Sequence, residues 1–194
     1  MSITVKNLGH TYHPGTPLET RSLQNISFDF PRGTWLSVAG HTGSGKSTLA
    51  QHLNGIILPM EGTVTVDGMA LKEKTPDLRE IRRRVGLVFQ YPEQQLFAET
   101  VYEEIAFAPQ NWGTPGDEIP GRVAAAAAAA GLDESLMGRS PFQLSGGEKR
   151  KTAIASVLSS KPDYLVLDEP TAGLDSFSRR ELTELLSRLK KAGM

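Results

Sequence analysis

The sequence predicts an α/β protein: a parallel-sheet core, an antiparallel β side sheet and an inserted helical region. Three observations predict it. TWLSVAG at 34–40 is a short apolar run that passes straight into glycines and then a helical pattern, KSTLAQHLNG. YLVLDEP at 164–170 is a second apolar run, ended by Pro170. Near-continuous apolar strands of this kind belong to parallel sheets covered by helices on both faces. Between the two, residues 92–160 lack good strand candidates.

The remaining elements follow from local pattern. ITVKNL and NISFDF, between Ser2 and Phe30, surround the turn-rich HPGTP, and GTVTVDG at 62–68 has the same strand-then-turn character. These are assigned to the antiparallel side sheet. Gly55 suits the C-cap of the helix that begins at Lys46. VYEEIAFA, the run Ala124 to Ala130 and KTAIASVLSS are read as helices, the alanines as filler because alanine is the strongest helix former. Leu182, Leu185, Leu186 and Leu189 recur at helical spacing and form the buried stripe of a last helix. The expected organisation is one domain over 1–194, with 1–91 and 161–194 forming the α/β core and β subdomain and 92–160 a helical subdomain.

Composition narrows the function. Lys plus Arg number 21 against 22 Asp plus Glu, so no global field draws in nucleic acid or anionic lipid. There are 0 cysteines, which removes disulfides and thiolate metal sites. The start, MSITVKNLGHTYHPG, alternates like a strand and lacks the basic-then-apolar pattern of a signal peptide. The longest apolar run, Val123 to Ala130, falls far short of the roughly twenty residues of a membrane span. The expectation is a soluble cytosolic chain with no nucleic-acid partner.

The strongest motif is Gly40 to Ser47, which fits G-x-x-x-x-G-K-S/T between a strand and a helix. Such a loop surrounds a nucleoside triphosphate with backbone N–H groups, and Gly43 and Gly45 let the chain curl close without a Cβ. Lys46 would reach the β- and γ-phosphates, Ser47 would ligate Mg²⁺, and the helix N-terminus adds its positive end. Gly40, His41, Thr42, Gly43, Ser44, Gly45, Lys46, Ser47 and Thr48 form the expected nucleotide-binding set. The plainer reading is a glycine turn before a helix.

Asp168 and Glu169 end the apolar run Leu165–Val166–Leu167. Alone they are equally a strand end. Coupled to the phosphate loop they gain a role, since ligands in open α/β sheets sit at the carboxyl ends of strands. Asp168 can then hold Mg²⁺ through water, and Glu169 can orient or deprotonate an attacking water.

A second phosphate-gripping loop, LSGGEKRK at 144–151, lies about a hundred residues after the first. With the motifs above, it makes the chain resemble the ATP-binding cassette (ABC) ATPases, whose P-loop NTPase fold carries this signature loop. TAGLD at 171–175 resembles their D-loop, with Gly173, Leu174 and Asp175. The resemblance implies further roles. Tyr12 corresponds to the aromatic that stacks on adenine, or is a strand aromatic covering core. Gln90, ending VGLVFQ, corresponds to the Q-loop glutamine that touches Mg²⁺ and water. In this family the signature loop faces the γ-phosphate of a second subunit, so Leu144, Ser145, Gly146, Gly147 and Glu148 would serve a neighbour's nucleotide. The second cradle implies a dimer. Equally, it is a serine–glycine turn capping a helix. Glu148 stands where glutamine is commoner and brings a negative charge to the loop.

QYPEQQLFAETVYEEIAFAPQNWG at 90–113, with GHTGSGKSTLAQHLNGIILPMEGTVTVDG, resembles the ATPase subunits of energy-coupling factor importers for vitamins or transition-metal ions. The resemblance implies ATP and Mg²⁺ as cofactors and a second ABC ATPase subunit, identical or related. It also implies a transmembrane coupling subunit, a substrate-binding membrane subunit and a peripheral position on the cytoplasmic face of the plasma membrane. Phe89, Tyr91, Leu96 and Phe97 would line the groove that receives the coupling helices, or belong to the core. Arg82, Arg83 and Arg84 read as a solvated helix face, which family position also puts near the membrane surface. The pattern breaks off at Met194, before the expected strand and switch histidine; His10, His13, His41 and His52 all lie elsewhere. The resemblance therefore implies a C-terminally truncated cassette with a strand missing from its sheet and weak hydrolysis. Two function classes result: a transport ATPase, or a nucleotide-binding fragment with little turnover that acts as an interaction module. Too few residues separate the two loops for the coiled-coil arms of a chromosome-structuring cassette, and LSGG disfavours a small-molecule kinase.

Overall fold

The computed structural model describes residues 1–71 and 77–193, so Met194 lies outside the described residues. The chain is α/β and divides into two compact units, residues 1–87 and 88–194.

The first unit is built on an antiparallel sheet of order β2-β1-β3-β4, with β1 Ser2–Tyr12, β2 Thr20–Pro31, β3 Glu61–Val66 and β4 Met69–Ala70. Alternation sets its register: Ile3 pairs with Val66 and Val5 with Val64, and all four are buried with Leu8. This is the side sheet expected from the alternating stretches. Helix α1, Lys46–Asn54, stops at Gly55 in the left-handed conformation, φ 77°. Helix α2, Asp77–Arg84, carries the basic run, but its arginines are engaged within the chain. Arg82 donates to the Gly55 carbonyl at 2.8 Å, Arg83 bridges Glu80, and Arg84 bridges Glu80 and Asp67. Hydrogen bonds from Arg83 and Arg84 pull the Glu80 carboxyl down to about 2. The run ties helix ends together as well as facing solvent.

One expected strand is not formed. Residues 34–40 have no strand assignment, and Trp35, Leu36 and Val38 are exposed. Apolar, β-branched composition supplies propensity, but a strand exists only where a neighbouring ladder takes its backbone groups. The described backbone bonds on either side are local turns: Thr34 N–H to the Pro31 carbonyl and Ser44 N–H to the His41 carbonyl.

Strand β5, Val85–Val88, straddles the division between the units. The second unit packs helices α3 Val101–Asn111, α4 Ile119–Ala130, α5 Gly146–Ser159 and α6 Ser176–Lys191 around one core, with strand β6 at Tyr164–Leu167. Described residues 92–160 hold helices and 3₁₀ turns and no strand. Thr100 and Glu103 close a capping box at the start of α3. The alanine run is more than filler. Val123, Ala126, Ala127 and Ala130 are buried at helical spacing while Ala124, Ala125 and Ala128 are exposed, so small side chains let α4 pack closely against α5. Ser156 and Ser159 of α5 donate to the Glu104 and Ile105 carbonyls of α3. Leu182, Leu185 and Leu189 of the expected stripe are buried, while Leu186 is only partly buried against the same core.

A pair of histidines is packed into the first unit. His10 of β1 and His52 of α1 meet edge to face with ring centroids 4.9 Å apart, and the His52 Nδ1 lies 2.7 Å from the Thr48 carbonyl. Burial pushes both imidazoles below their ordinary value of 6.5, and in His52 the neighbouring His10 adds to it against the Thr48 hydrogen bond. The folded state therefore binds fewer protons than the unfolded chain, so this contribution is fully present above pH 6.5 and is lost as pH falls from there toward the lowered folded values. Thermal midpoints are expected to fall between pH 7.5 and pH 5.5, conditions bracketing the ordinary His value of about 6.5. His10→Phe should flatten that slope; an unchanged slope would contradict the assignment.

Candidate functional site

In the first unit the phosphate-type loop is shaped by its glycines. Gly43 and Gly45 both have φ in the left-handed region, at 81° and 89°, and Gly45 is the N-cap of α1. A Cβ on Gly45 would collide with the Ser22 carbonyl and come within 2.9 Å of the Leu23 side chain. The loop is thus pressed against β2 where only glycine fits. No side chain caps α1, which leaves its N-terminus suited to an anion. The Lys46 ammonium folds back over the loop and donates to the Gly40 and His41 carbonyls, both at 2.9 Å. His41 Nδ1 lies 2.8 Å from the Thr42 carbonyl. An incoming phosphate oxygen would compete with those carbonyls for the same amine. Tyr12, at the end of β1, is half-buried, with its hydroxyl 3.2 Å from the Thr48 hydroxyl and its ring edge-on to His10 at 4.5 Å. It is tied to the helix that follows the loop.

In the second unit the structure brings Gln90 and Glu169 together. The Gln90 amide donates to the Glu169 carboxylate at 3.0 Å. β6 delivers the acidic pair, since the Asp168 N–H donates to the carbonyl of Val88, and Asp168 is buried. Glu169 itself has φ 44°, a left-handed backbone that costs a non-glycine residue on the order of 1–3 kcal/mol. The following turn closes with Ala172 N–H on the Glu169 carbonyl, and Gly173, φ 69°, lies against the Tyr91 ring. Leu174 packs on the core, and Asp175 caps α6 by accepting from Ser178 N–H at 2.8 Å, a bond that lowers its carboxyl.

Ser145 is the N-cap of α5 in a capping box: its hydroxyl accepts from Glu148 N–H, while its own N–H and O–H donate to the Glu148 carboxylate at 2.8 and 2.6 Å. Those bonds from Ser145 hold the Glu148 carboxyl below its usual range. Leu144 is buried, whereas a Cβ on Gly146 or Gly147 would meet no atom within 4 Å. Among the described residues, no packing contact requires glycine at either position.

Sequence reasoning missed three groups. Arg150 is 7% exposed and bonded to Glu93, Pro170 and Ala172; a cation four residues before Ile154 and eight before Leu158, on the buried stripe, was the available signal. Glu104, also buried, accepts from the N–H groups of Phe97 and Ala98 at 2.9 Å. His10 and His52 are the third. Of the four residues expected at a groove or in the core, Leu96 is core, Phe89 half-buried, and Tyr91 and Phe97 exposed, with Phe97 edge-on to Phe107.

The family model described as "ABC transporter" matches residues 23–172. The chain belongs to the ABC transporter family. It is 48% identical over 194 residues to an energy-coupling factor transporter ATP-binding protein EcfA2 of Symbiobacterium thermophilum, covering 100% of this chain and 67% of that protein. The EcfA2 of Lactiplantibacillus plantarum is 50% identical over 98% of this chain and 65% of its own length. The chain thus spans about two thirds of the length of these relatives. Among solved structures it is similar to CbiO1 from Clostridium perfringens, described as part of the ABC transporter complex CbiONQ. The TM-score is 0.86 at 37% identity, over 98% of this chain and 74% of that one. It is also similar to a dimeric ATP-binding cassette in a post-hydrolysis state bound to ADP and Pi, with TM-score 0.84 at 31% identity over 98% of this chain and 84% of that one. The fold is that of the P-loop ABC ATPases. No helix among the described residues is long and apolar enough to cross a membrane.

Gly45→Ala is expected to destabilise the chain by about 1–3 kcal/mol, from the left-handed backbone and the clash with Ser22. Denaturant unfolding measures this, and a loss under 0.5 kcal/mol, the range of about ±0.5 typical of surface changes, would show that the loop can relax away from β2.

Proposed function

We propose that the chain is an ATP-binding and ATP-hydrolysing subunit that energises a prokaryotic energy-coupling factor importer for vitamins or transition-metal ions. The observation that carries the reading is the Gln90 amide held on the Glu169 carboxylate at the end of β6, in a chain of the ABC transporter family. Similarity to EcfA2 proteins and to a CbiO1 supports the branch.

In this reading Gly40 to Thr48 cradle the triphosphate, with Lys46 exchanging its loop carbonyls for β- and γ-phosphate oxygens and Tyr12 meeting the adenine. Glu169 orients and deprotonates the attacking water, and Gln90 holds that carboxylate in place through its amide. The resemblance assigns Mg²⁺ to the hydroxyl of Ser47, the amide oxygen of Gln90 and the carboxylate of Asp168, each a hard oxygen donor of the kind Mg²⁺ takes. When bound, Mg²⁺ neutralises charge developing on the phosphates. Ser145, Gly146, Gly147 and Glu148 then serve the nucleotide of a second ABC ATPase subunit. That role would account for two glycines that no packing contact among the described residues requires. Gly173, Leu174 and Asp175 form the D-loop at the same subunit boundary. The proposed organisation is a core of 1–91 and 161–194 with a helical subdomain of 92–160. The exposed Tyr91 and Phe97 face a transmembrane coupling subunit, itself joined to a substrate-binding membrane subunit, at the cytoplasmic face of the plasma membrane.

Glu169→Gln should lower turnover by about 10²–10⁴-fold while leaving ATP binding intact, the size expected for removing a general base. Wild-type turnover should rise more steeply than linearly with protein concentration, because each site is completed by a second subunit. ATP binding without turnover in the wild-type chain would overturn the enzyme reading in favour of a nucleotide-binding module.

A further inference from the structure

We propose that Arg150 is a positioning residue for ATP turnover: it locks the turn after Gln90 to the turn after Glu169, so the exposed Tyr91–Phe97 surface and the water-handling carboxylate move as one body. The inference rests on the reading of Gln90 and Glu169 above.

Arg150 lies in the second turn of α5, on the helix whose N-cap is Ser145, and is almost fully buried. A buried guanidinium must have its charge answered and its donors satisfied within the protein. Its Nε and Nη2 donate to the two carboxylate oxygens of Glu93 at 3.3 and 3.4 Å. Its Nη1 donates to the Pro170 and Ala172 carbonyls at 3.2 and 3.3 Å, and Nη2 also reaches Ala172 at 3.4 Å. Each bond is longer than a tight charge-assisted pair, so number and burial hold the bridge rather than any single contact.

Glu93 belongs to the 3₁₀ turn Pro92–Gln95, which begins two residues after Gln90, and Pro170 is bonded directly to Glu169. The Gln90–Glu169 hydrogen bond closes the remaining side. A ring results: Arg150 to Glu93, along the chain to Gln90, across to Glu169, along the chain to Pro170, and back to Arg150. Glu104 pins the far end of the same loop through the Phe97 and Ala98 N–H groups. The segment that presents Tyr91 and Phe97 is therefore fixed at both ends, and one of its anchors also fixes the catalytic turn. A planar fork of five donors serves both oxygens of a carboxylate and two carbonyls together, four acceptor atoms in all; an ammonium is a point charge with three donors.

The test compares the wild-type chain with Arg150→Lys and Glu93→Gln, by hydrogen exchange without nucleotide and by steady-state ATP turnover. In both variants, exchange at 92–98 and at 170–175 should speed up together by about tenfold, while the interior amides of α5, 152–158, stay protected. kcat should fall by about tenfold with KM for ATP unchanged, because a misplaced carboxylate affects the transition state and leaves the phosphate loop intact. Exchange that rises in only one of the two segments overturns the proposal. So does a raised KM with unchanged kcat. If Arg150→Lys unfolds, Glu93→Gln decides alone. If the wild-type chain shows no turnover, the enzyme reading fails, and the exchange measurement still settles whether Arg150 couples the two turns.

Discussion

A guanidinium buried beside a helix N-terminus constrains everything around it. Arg150 cannot be left unpaired, because an uncompensated buried charge costs several kcal/mol, of the same order as the net stability of a domain. Its partners come from two separate stretches, and each is a turn with no ladder of its own: Pro92–Gln95 and the bend after Glu169. A turn has few internal bonds and would otherwise sample many conformations. Converging on one cation gives these turns a common reference. The strained backbone of Glu169 is intelligible in that setting. A left-handed glutamate persists only where its surroundings over-determine it, and Val88 before it, Ala172 after it and Gln90 beside it do so.

The first unit follows the opposite strategy. Its phosphate-type loop is defined by the absence of side chains at Gly43 and Gly45 and by backbone pressed against β2, and one long cation, Lys46, closes it from above. Two lysine–carbonyl bonds are each worth only about 1.5–3 kcal/mol, and phosphate oxygens offer the same ammonium a formal charge. The loop is therefore held in shape by contacts that a ligand can replace one for one. Below it, α1 is anchored by His52 against His10 and by Thr48 against Tyr12, so the helix that points its N-terminus at the loop has a rigid base.

What could be read from sequence depended on whether a signal was local. Gly45 and Gly55 at the two ends of α1, the alternation of Ile3 and Val5, and the leucine stripe of α6 all follow from chain geometry within a few residues, and each is where it was expected. TWLSVAG failed because strand formation depends on a neighbour the local sequence does not contain. The basic run was legible in part: Arg82 and Arg83 are exposed, as a solvated helix face requires. Long-range pairing was not legible, since Arg84 finds Asp67, 17 residues earlier, and Arg150 finds Glu93, 57 residues earlier. The pairing of Gln90 with Glu169 was not legible, since 79 residues separate them; the sequence and the resemblance gave each only a separate role.

The capping box at the signature loop links these observations. Ser145 donates its hydroxyl and its N–H to Glu148, so the groups suited to an external phosphate are occupied by the chain's own carboxylate. A helix cap is worth about 1 kcal/mol, whereas hydrogen bonds from neutral donors to a charged phosphate are worth about 1.5–3 kcal/mol each. An external phosphate can therefore displace the cap, but only after moving a like charge aside. Glutamine in the same place could form the same box without that repulsion. In the role proposed for the loop, the negative charge would make its engagement conditional on compensation from nearby cations. Arg150, two residues beyond Glu148, is committed to Glu93 and to backbone carbonyls, so it is poorly placed to neutralise that charge. Arg139 and Lys151 of the same chain supply part of the compensation, and in the proposed role the rest would come from the cations that accompany the nucleotide.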